Sequence, residues 1–235
     1  MNRSTVSRAA TALAIATAAF GAHAGTVTFN NWTWGNGNAV NVTSPNYAGS
    51  AGGFTATLSG FGNGWDGLVN TYCVELTESF YFGVAYPEYT LVSASSYFSA
   101  DKADALSRLV GEVMGGNLFS VAAAGSKDDQ STALQLAIWN IVYDNDSTLG
   151  SGAFRNAGAF KTGAPEFVDA SALLQSAAAR AAGPSGYDLF VLRSLGAPGH
   201  QDQLVWRQTA VPEPASLALA GLALGAAAFV RRRRS

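Results

Sequence analysis

Cys73 is the only cysteine in the sequence, so it has no partner within the chain for a disulfide. It lies in Tyr72-Cys73-Val74-Glu75, a run with strand character. In an oxidising compartment a free thiol persists when it is buried, paired between chains or chemically used. Glu75, two residues on, is placed to orient the thiol or accept its proton; its plainer role is that of a solvent-facing strand residue. A second group of interest is Gln135, in Leu134-Gln135-Leu136-Ala137-Ile138-Trp139. On a helix it lies one turn from Trp139, beside an apolar stripe. A carboxamide there needs a hydrogen-bond partner, which a neighbouring strand could also supply. A third arrangement pairs Cys73 with His200 as nucleophile and base of a hydrolase, which requires the two within hydrogen-bond reach. His200 sits in the Gly- and Pro-rich turn Ala197-Pro198-Gly199-His200. No Cys/His cluster has metal-ligand spacing, and there is no phosphate loop; no cofactor is expected.

The elements that must position these residues change character along the chain. From Gly25 to about Tyr97 short alternating runs punctuated by Gly and Asn read as strands: Thr26–Phe29, Phe54–Leu58, Tyr72–Leu76, Phe80–Phe82 and Tyr89–Val92. A helix is expected over Ala100–Met114, with Ser99 as N-cap, Asp101 and Asp104 in the first turn and Gly115-Gly116 as the stop. A second is expected over Lys127–Tyr143, with Leu134, Ala137, Ile138, Ile141 and Val142 marking its buried face. A third runs from Pro165 to Ala182, closed by Gly183-Pro184. Strands at Tyr187–Leu192 and Gln203–Trp206 end the domain. This order predicts an α+β fold, a β-rich barrel- or sandwich-like part with an inserted helical subdomain.

An aromatic-Cys segment on a strand, followed by Gln-x-Ala-Ile-Trp on a helix, resembles the thioester domains of Gram-positive surface adhesins. The resemblance implies that the Cys73 thiol and the Gln135 carboxamide join with loss of ammonia, giving an internal thioester held between a β-rich and a helical part. Tyr72 stands at the family's aromatic before Cys, and Ala137, Ile138 and Trp139 complete the helix motif. Leu134 departs from the Thr of many members. Gln201-Asp202-Gln203-Leu204-Val205 resembles the family's closing strand. By this resemblance the protein is an adhesin or matrix-associated protein, not an enzyme. A nucleophile on a partner, an amine or a hydroxyl, attacks the Gln135 carbonyl once and frees Cys73.

The two ends set the compartment. Arg3 and Arg8 precede an apolar run, Ala9–Phe20, and Ala22-His23-Ala24 is a cleavage site, so residues 1–24 read as a signal peptide for signal peptidase. At the other end, Val211-Pro212-Glu213-Pro214 is followed by an apolar run from Ala215 to Val230 and by Arg231, Arg232, Arg233 and Arg234. An apolar segment before a basic stop is a stop-transfer anchor whose arginines stay cytoplasmic. The run has 16 residues, short of the roughly 20 of a full span; Val211 and the arginine stems extend it. Residues 211–235 together resemble the PEP-CTERM sorting signal of Gram-negative bacteria. That resemblance implies a single transmembrane helix, recognition by the protease-transpeptidase exosortase, and an association with exopolysaccharide and biofilm. The protein is then expected to pass the inner membrane and periplasm and to reach the cell surface or extracellular matrix.

The exported part, residues 25–210, is long enough for one domain with a sizeable core. Of the 14 Lys and Arg, two lie in the leader and four in the tail, so eight face 15 acidic residues, or 16 if Glu213 of the sorting motif is kept. A domain this acidic is a poor nucleic-acid binder. Its aromatics suggest an alternative, a non-covalent carbohydrate- or matrix-binding module in which Trp32, Trp34, Tyr47 and Trp65 stack on sugars.

Overall fold

The computed structural model describes residues 24–115, 126–158, 170–181 and 185–209. The expected leader, the sorting motif, the helix over 215–230 and the arginine tail lie outside these. So does the start expected for the third helix. Among the described residues no helix is long and apolar enough to cross a membrane.

The molecule is β-rich, and six strands close into a barrel. In barrel order these are β1 (Gly25–Trp32), β4 (Phe54–Ser59), β5 (Gly67–Cys73), β9 (Gln203–Gln208), β8 (Tyr187–Ser194) and β6 (Ala85–Ser93). All neighbouring pairs are antiparallel. Alternation explains the closure. In β1 Val27 and Phe29 are buried while the residues between them are half-exposed, and in β4 Phe54, Ala56 and Leu58 do the same. Closing the sheet also removes the unpaired edges that an open sheet would present. A second sheet, outside the barrel, joins β2 (Asn38–Ser44) to β3 (Asn46–Ala51) and to the two-residue β7 (Arg155–Asn156).

Between β6 and β8 the described residues are mostly helical: α1 (Ala94–Tyr97), α2 (Ala100–Gly115), α3 (Lys127–Tyr143) and α4 (Ala170–Ala179). The bounds expected for α2 and α3 agree with these to within a residue. The α3 start is fixed by a capping box, in which Ser126 accepts from the Asp129 backbone and the Asp129 side chain accepts from Ser126.

Three expectations need correction. The strand Tyr72–Leu76 ends at Cys73. Beyond it, side chains replace the ladder: the Glu75 carboxylate accepts from Asp202 N–H (2.9 Å), and the Glu75 carbonyl accepts from Gln201 Nε2 (2.9 Å). Phe80–Phe82 is a loop, because its rings are wanted in a cluster rather than on one strand face. Phe80 stacks on Phe29 at 3.8 Å between centroids, and Phe82 lies against Trp32 and Phe54. The loop backbone is satisfied by Tyr86 Oη, which accepts from Tyr81 N–H, and by Phe29 C=O, which accepts from Gly83 N–H. Finally, α3 has no exposed face over its middle, since every residue from Asp129 to Ile141 is buried. A helix covered all round is a core element, and its polar side chains must then be answered by the protein.

Candidate thioester site

Cys73 is the last residue of β5 and Gln135 lies at the centre of α3. The structure brings them together. Cys73 N–H donates to Gln135 Oε1 at 2.9 Å, and Gln135 Nε2 donates to Cys73 C=O at 2.8 Å. This reciprocal pair fixes the plane of the carboxamide against the cysteine backbone. It is shut away from solvent, with Gln135 fully buried and Cys73 3 % exposed.

The thiol itself has two further partners from the chain that leads into β9. Cys73 Sγ–H donates to Gln201 Oε1 at 2.8 Å, and Gln203 Nε2 donates to Cys73 Sγ at 3.4 Å. Gln201 is held in turn by the Glu75 carbonyl. Burial is the first cause that pushes the Cys73 thiol up to about 12, with the Glu75 charge adding to it and the Gln203 hydrogen bond opposing it. At neutral pH the sulfur is therefore a thiol, nearly inert to solution electrophiles.

Glu75 does not touch the thiol and is only partly open to solvent. It is half-buried in the turn after β5 and acts through its neighbours. Its carboxyl is raised to about 7, first by burial and then by Glu78 and Asp202, against the hydrogen bond from Asp202 N–H. Asp202 makes four bonds to three segments. Its C=O accepts from Val74 N–H, its N–H donates to Glu75, and its carboxylate accepts from Ser194 N–H and Tyr97 Oη–H.

The supporting residues named from the sequence fall around this centre. The Tyr72 hydroxyl pairs with Ser131 Oγ at 3.1 Å, one turn before Gln135, and its ring stacks on Trp206 at 5.7 Å. Ser131 Oγ also accepts from Gly53 N–H at 2.7 Å. A Cβ on Gly53 would come within 2.6 Å of the Tyr72 ring, so only glycine permits this approach. Ala137 and Ile138 are fully buried, and Trp139 meets Tyr47 edge to face at 5.5 Å. Sequence reasoning missed the roles of Ser131, Gln201 and Gln203 at this site. The signal for the last two was a polar triplet, Gln201-Asp202-Gln203, directly before the apolar Leu204-Val205: buried polar residues announce partners.

His200 is not brought to the thiol. Its ring packs on Tyr86 at 4.3 Å, and its backbone N–H donates to Ser194 Oγ. Of the four aromatics read as a sugar platform, Trp32 packs on Phe54 and Tyr47 on Trp139, while Trp34 and Trp65 share a cleft with residues not foreseen. Among the described residues no group of His, Cys, Asp and Glu is arranged to hold a metal ion.

The chain carries a PEP-CTERM protein-sorting motif. The match spans residues 210–234. A PEP-CTERM motif implies an exported, surface-sorted protein that exosortase processes. No curated protein matches the sequence. Among solved structures the chain is similar to the N-terminal thioester domain of fibronectin-binding protein SfbI from Streptococcus pyogenes. The identity is 16 % and the TM-score 0.42, over 77 % of this chain and 95 % of that one.

Proposed function

We propose that this PEP-CTERM protein is an adhesin- or matrix-type surface protein that captures one partner nucleophile covalently, through a thioester between Cys73 Sγ and Gln135 Cδ. The observation that carries the reading is the reciprocal hydrogen-bonded pair between the Gln135 carboxamide and the Cys73 backbone. Holding two groups beside one another replaces an encounter with a fixed geometry. Cys73 N–H, already on Oε1, is a ready donor for the oxyanion that forms when sulfur attacks Cδ.

The balance is simple. The S–H bond breaks, the C–S bond forms, the C–N bond breaks, and the thiol proton leaves with the amide nitrogen as ammonia. Gln201 Oε1, on the S–H proton, orients the sulfur lone pair. Burial keeps water from the product. A partner amine then attacks Cδ, gives up a proton to the departing sulfur, and leaves an amide on Gln135 with the thiol restored; a hydroxyl would leave an ester. This is a single event per molecule, so the protein is a covalent binder and not an enzyme. By the same reading it crosses the inner membrane and periplasm and acts at the cell surface or in the matrix.

The test is the intact mass of the full chain purified in detergent. A thioester gives a deficit of about 17 Da, one ammonia. The deficit is expected to vanish in Cys73→Ala and Gln135→Ala and to be replaced by an adduct after methylamine. A full mass together with one thiol that titrates on unfolding would sink the covalent mechanism.

A further inference from the structure

A cleft of about 640 Å³ is lined by Leu68, Val69, Asn70 and Tyr72 of β5 and not by Cys73. Cys73 and Tyr72 are neighbours on one strand, so their side chains point to opposite faces. The thiol meets Gln201 and Gln203, whereas the Tyr72 ring lines the cleft. Around it stand Trp34, Trp65, Trp206 and Tyr187, with Asn70 and Arg207 among the polar groups. Concave, aromatic-lined spaces with few polar groups are where small ligands bind. Here the aromatic surfaces come from four separate segments of the chain.

Among the described residues Arg207 is the one charged residue lining the cleft. Its guanidinium lies 4.7 Å from the Trp65 ring centroid, and its Nη1 donates to Asn63 C=O at 2.8 Å. Those two contacts hold the planar group in place without neutralising it. Among the described residues no carboxylate forms an ion pair with it. Asp188, opposite it across the β8–β9 pair, accepts from Thr209 Oγ1 instead. A fixed, uncompensated guanidinium beside aromatic walls fits a carboxylate, which it can receive bidentately. Pyranose rings supply apolar C–H faces for the indoles and hydroxyls for Asn70. The acidic balance of the exported part disfavours the denser charge of a nucleic acid, which the same aromatics could otherwise stack.

We infer that this cleft is a binding site for an acidic glycan, with pyranose rings against Trp34 and Trp206 and a uronate carboxylate on Arg207. It is a site separate from Cys73. The glycan would be held reversibly, whatever the thiol captures.

Calorimetric titration of the full chain in detergent with tetragalacturonate, cellotetraose and oligothymidylate tests this. Saturable binding of tetragalacturonate is expected, about tenfold tighter than cellotetraose and weakened by added salt. Arg207→Gln should abolish that preference, and Trp34→Ala should weaken both sugars, each variant being titrated at a temperature where its own melt shows it folded. Cys73→Ala should bind as the parent does, so the result stands apart from that of the thioester. No binding of tetragalacturonate, equal affinity for the neutral sugar, tighter binding of oligothymidylate, or affinity indifferent to both folded variants would overturn the assignment.

Discussion

At the scale of single residues, the site is decided by what surrounds the thiol more than by the thiol. Gln201 Oε1 and the Gln135 amide both contact Cys73, yet only Gln135 is gripped at both its polar atoms by the cysteine backbone. The buried sulfur makes a first prediction. In Gln135→Ala, where no thioester can form, iodoacetamide at pH 7.5 should leave folded Cys73 unmodified and label it fully in urea; rapid labelling of the folded variant would mean the site is open. Glu75 makes a second. Its carboxyl is raised from about 4.5 to about 7, so the folded state holds that proton more tightly than the unfolded one. The contribution to stability is fully present below about pH 4.5 and is lost as pH rises through about 7. Asp202, raised first by burial, has the same sign, while Arg193 beside it opposes. Glu75 is half-exposed, so screening limits the effect to on the order of 1 kcal/mol. Urea melts between pH 4.5 and 8 should show declining stability, with a shallower slope in Glu75→Gln; an unchanged slope would assign the titration to Asp202. Cys73 and Gln135 each stood out in the sequence because a lone Cys and a Gln inside an apolar helix are both costly without a purpose, and the resemblance to thioester domains paired them. Gln201 was not, because its place at the sulfur depends on the turn after β5 giving up its ladder to side chains.

At the scale of elements, α3 is the part on which both the fold and the site depend. Ser131, Gln135 and Trp139 follow one another at single-turn spacing. They meet, in order, Gly53 and Tyr72, the Cys73 backbone, and Tyr47. Thr132 adds a bond to Ala51 C=O (2.8 Å) and receives Asn38 N–H (3.2 Å). A buried helix is thus stitched to both sheets by hydrogen bonds that also set the depth of Gln135. Ser131→Ala should leave Gly53 N–H buried without an acceptor and cost about 1–3 kcal/mol. It should also let α3 shift at the site. The expected readout is a lower midpoint in urea and a slower, incomplete mass loss on folding; an unchanged midpoint with full mass loss would show that Ser131 merely fills space. The helix bounds were readable from caps and acidic first turns. Its full burial was not, since Gln130, Ser131, Thr132 and Asn140 break the apolar stripe and make the helix look two-faced. The second sheet escaped for a related reason. Apart from Val40 and Tyr47, Asn38-Ala39-Val40-Asn41 and Asn46-Tyr47-Ala48-Gly49 are short or polar residues with little strand preference, and they pair because the β2–β3 register and the bonds to α3 hold them.

At the scale of the whole molecule, the Cys73–Gln135 bond would be a staple between the barrel and the helical part. The two residues are 62 apart in sequence. The loop they close contains β6, α1, α2 and the first half of α3, so the staple constrains a large share of the unfolded chain. In the chain-entropy account a cross-link closing a loop of that size stabilises by about 4 kcal/mol. For a chain of this length each kcal/mol moves the midpoint by roughly 2–4 °C, so opening the bond should lower the melting temperature by about 10 °C. Methylamine is the clean reagent, because it opens the thioester while leaving every other residue in place. Calorimetry of the same preparation before and after treatment, with Cys73→Ala as the control that methylamine should not affect, measures the drop directly. A surface protein gains from this arrangement only if capture exchanges an internal cross-link for an external one, so that the attached form is the less stable one. If the treated protein has lost its mass deficit and yet melts at the untreated temperature, the barrel and helices hold one another without the bond. Its role would then be confined to storing the electrophile.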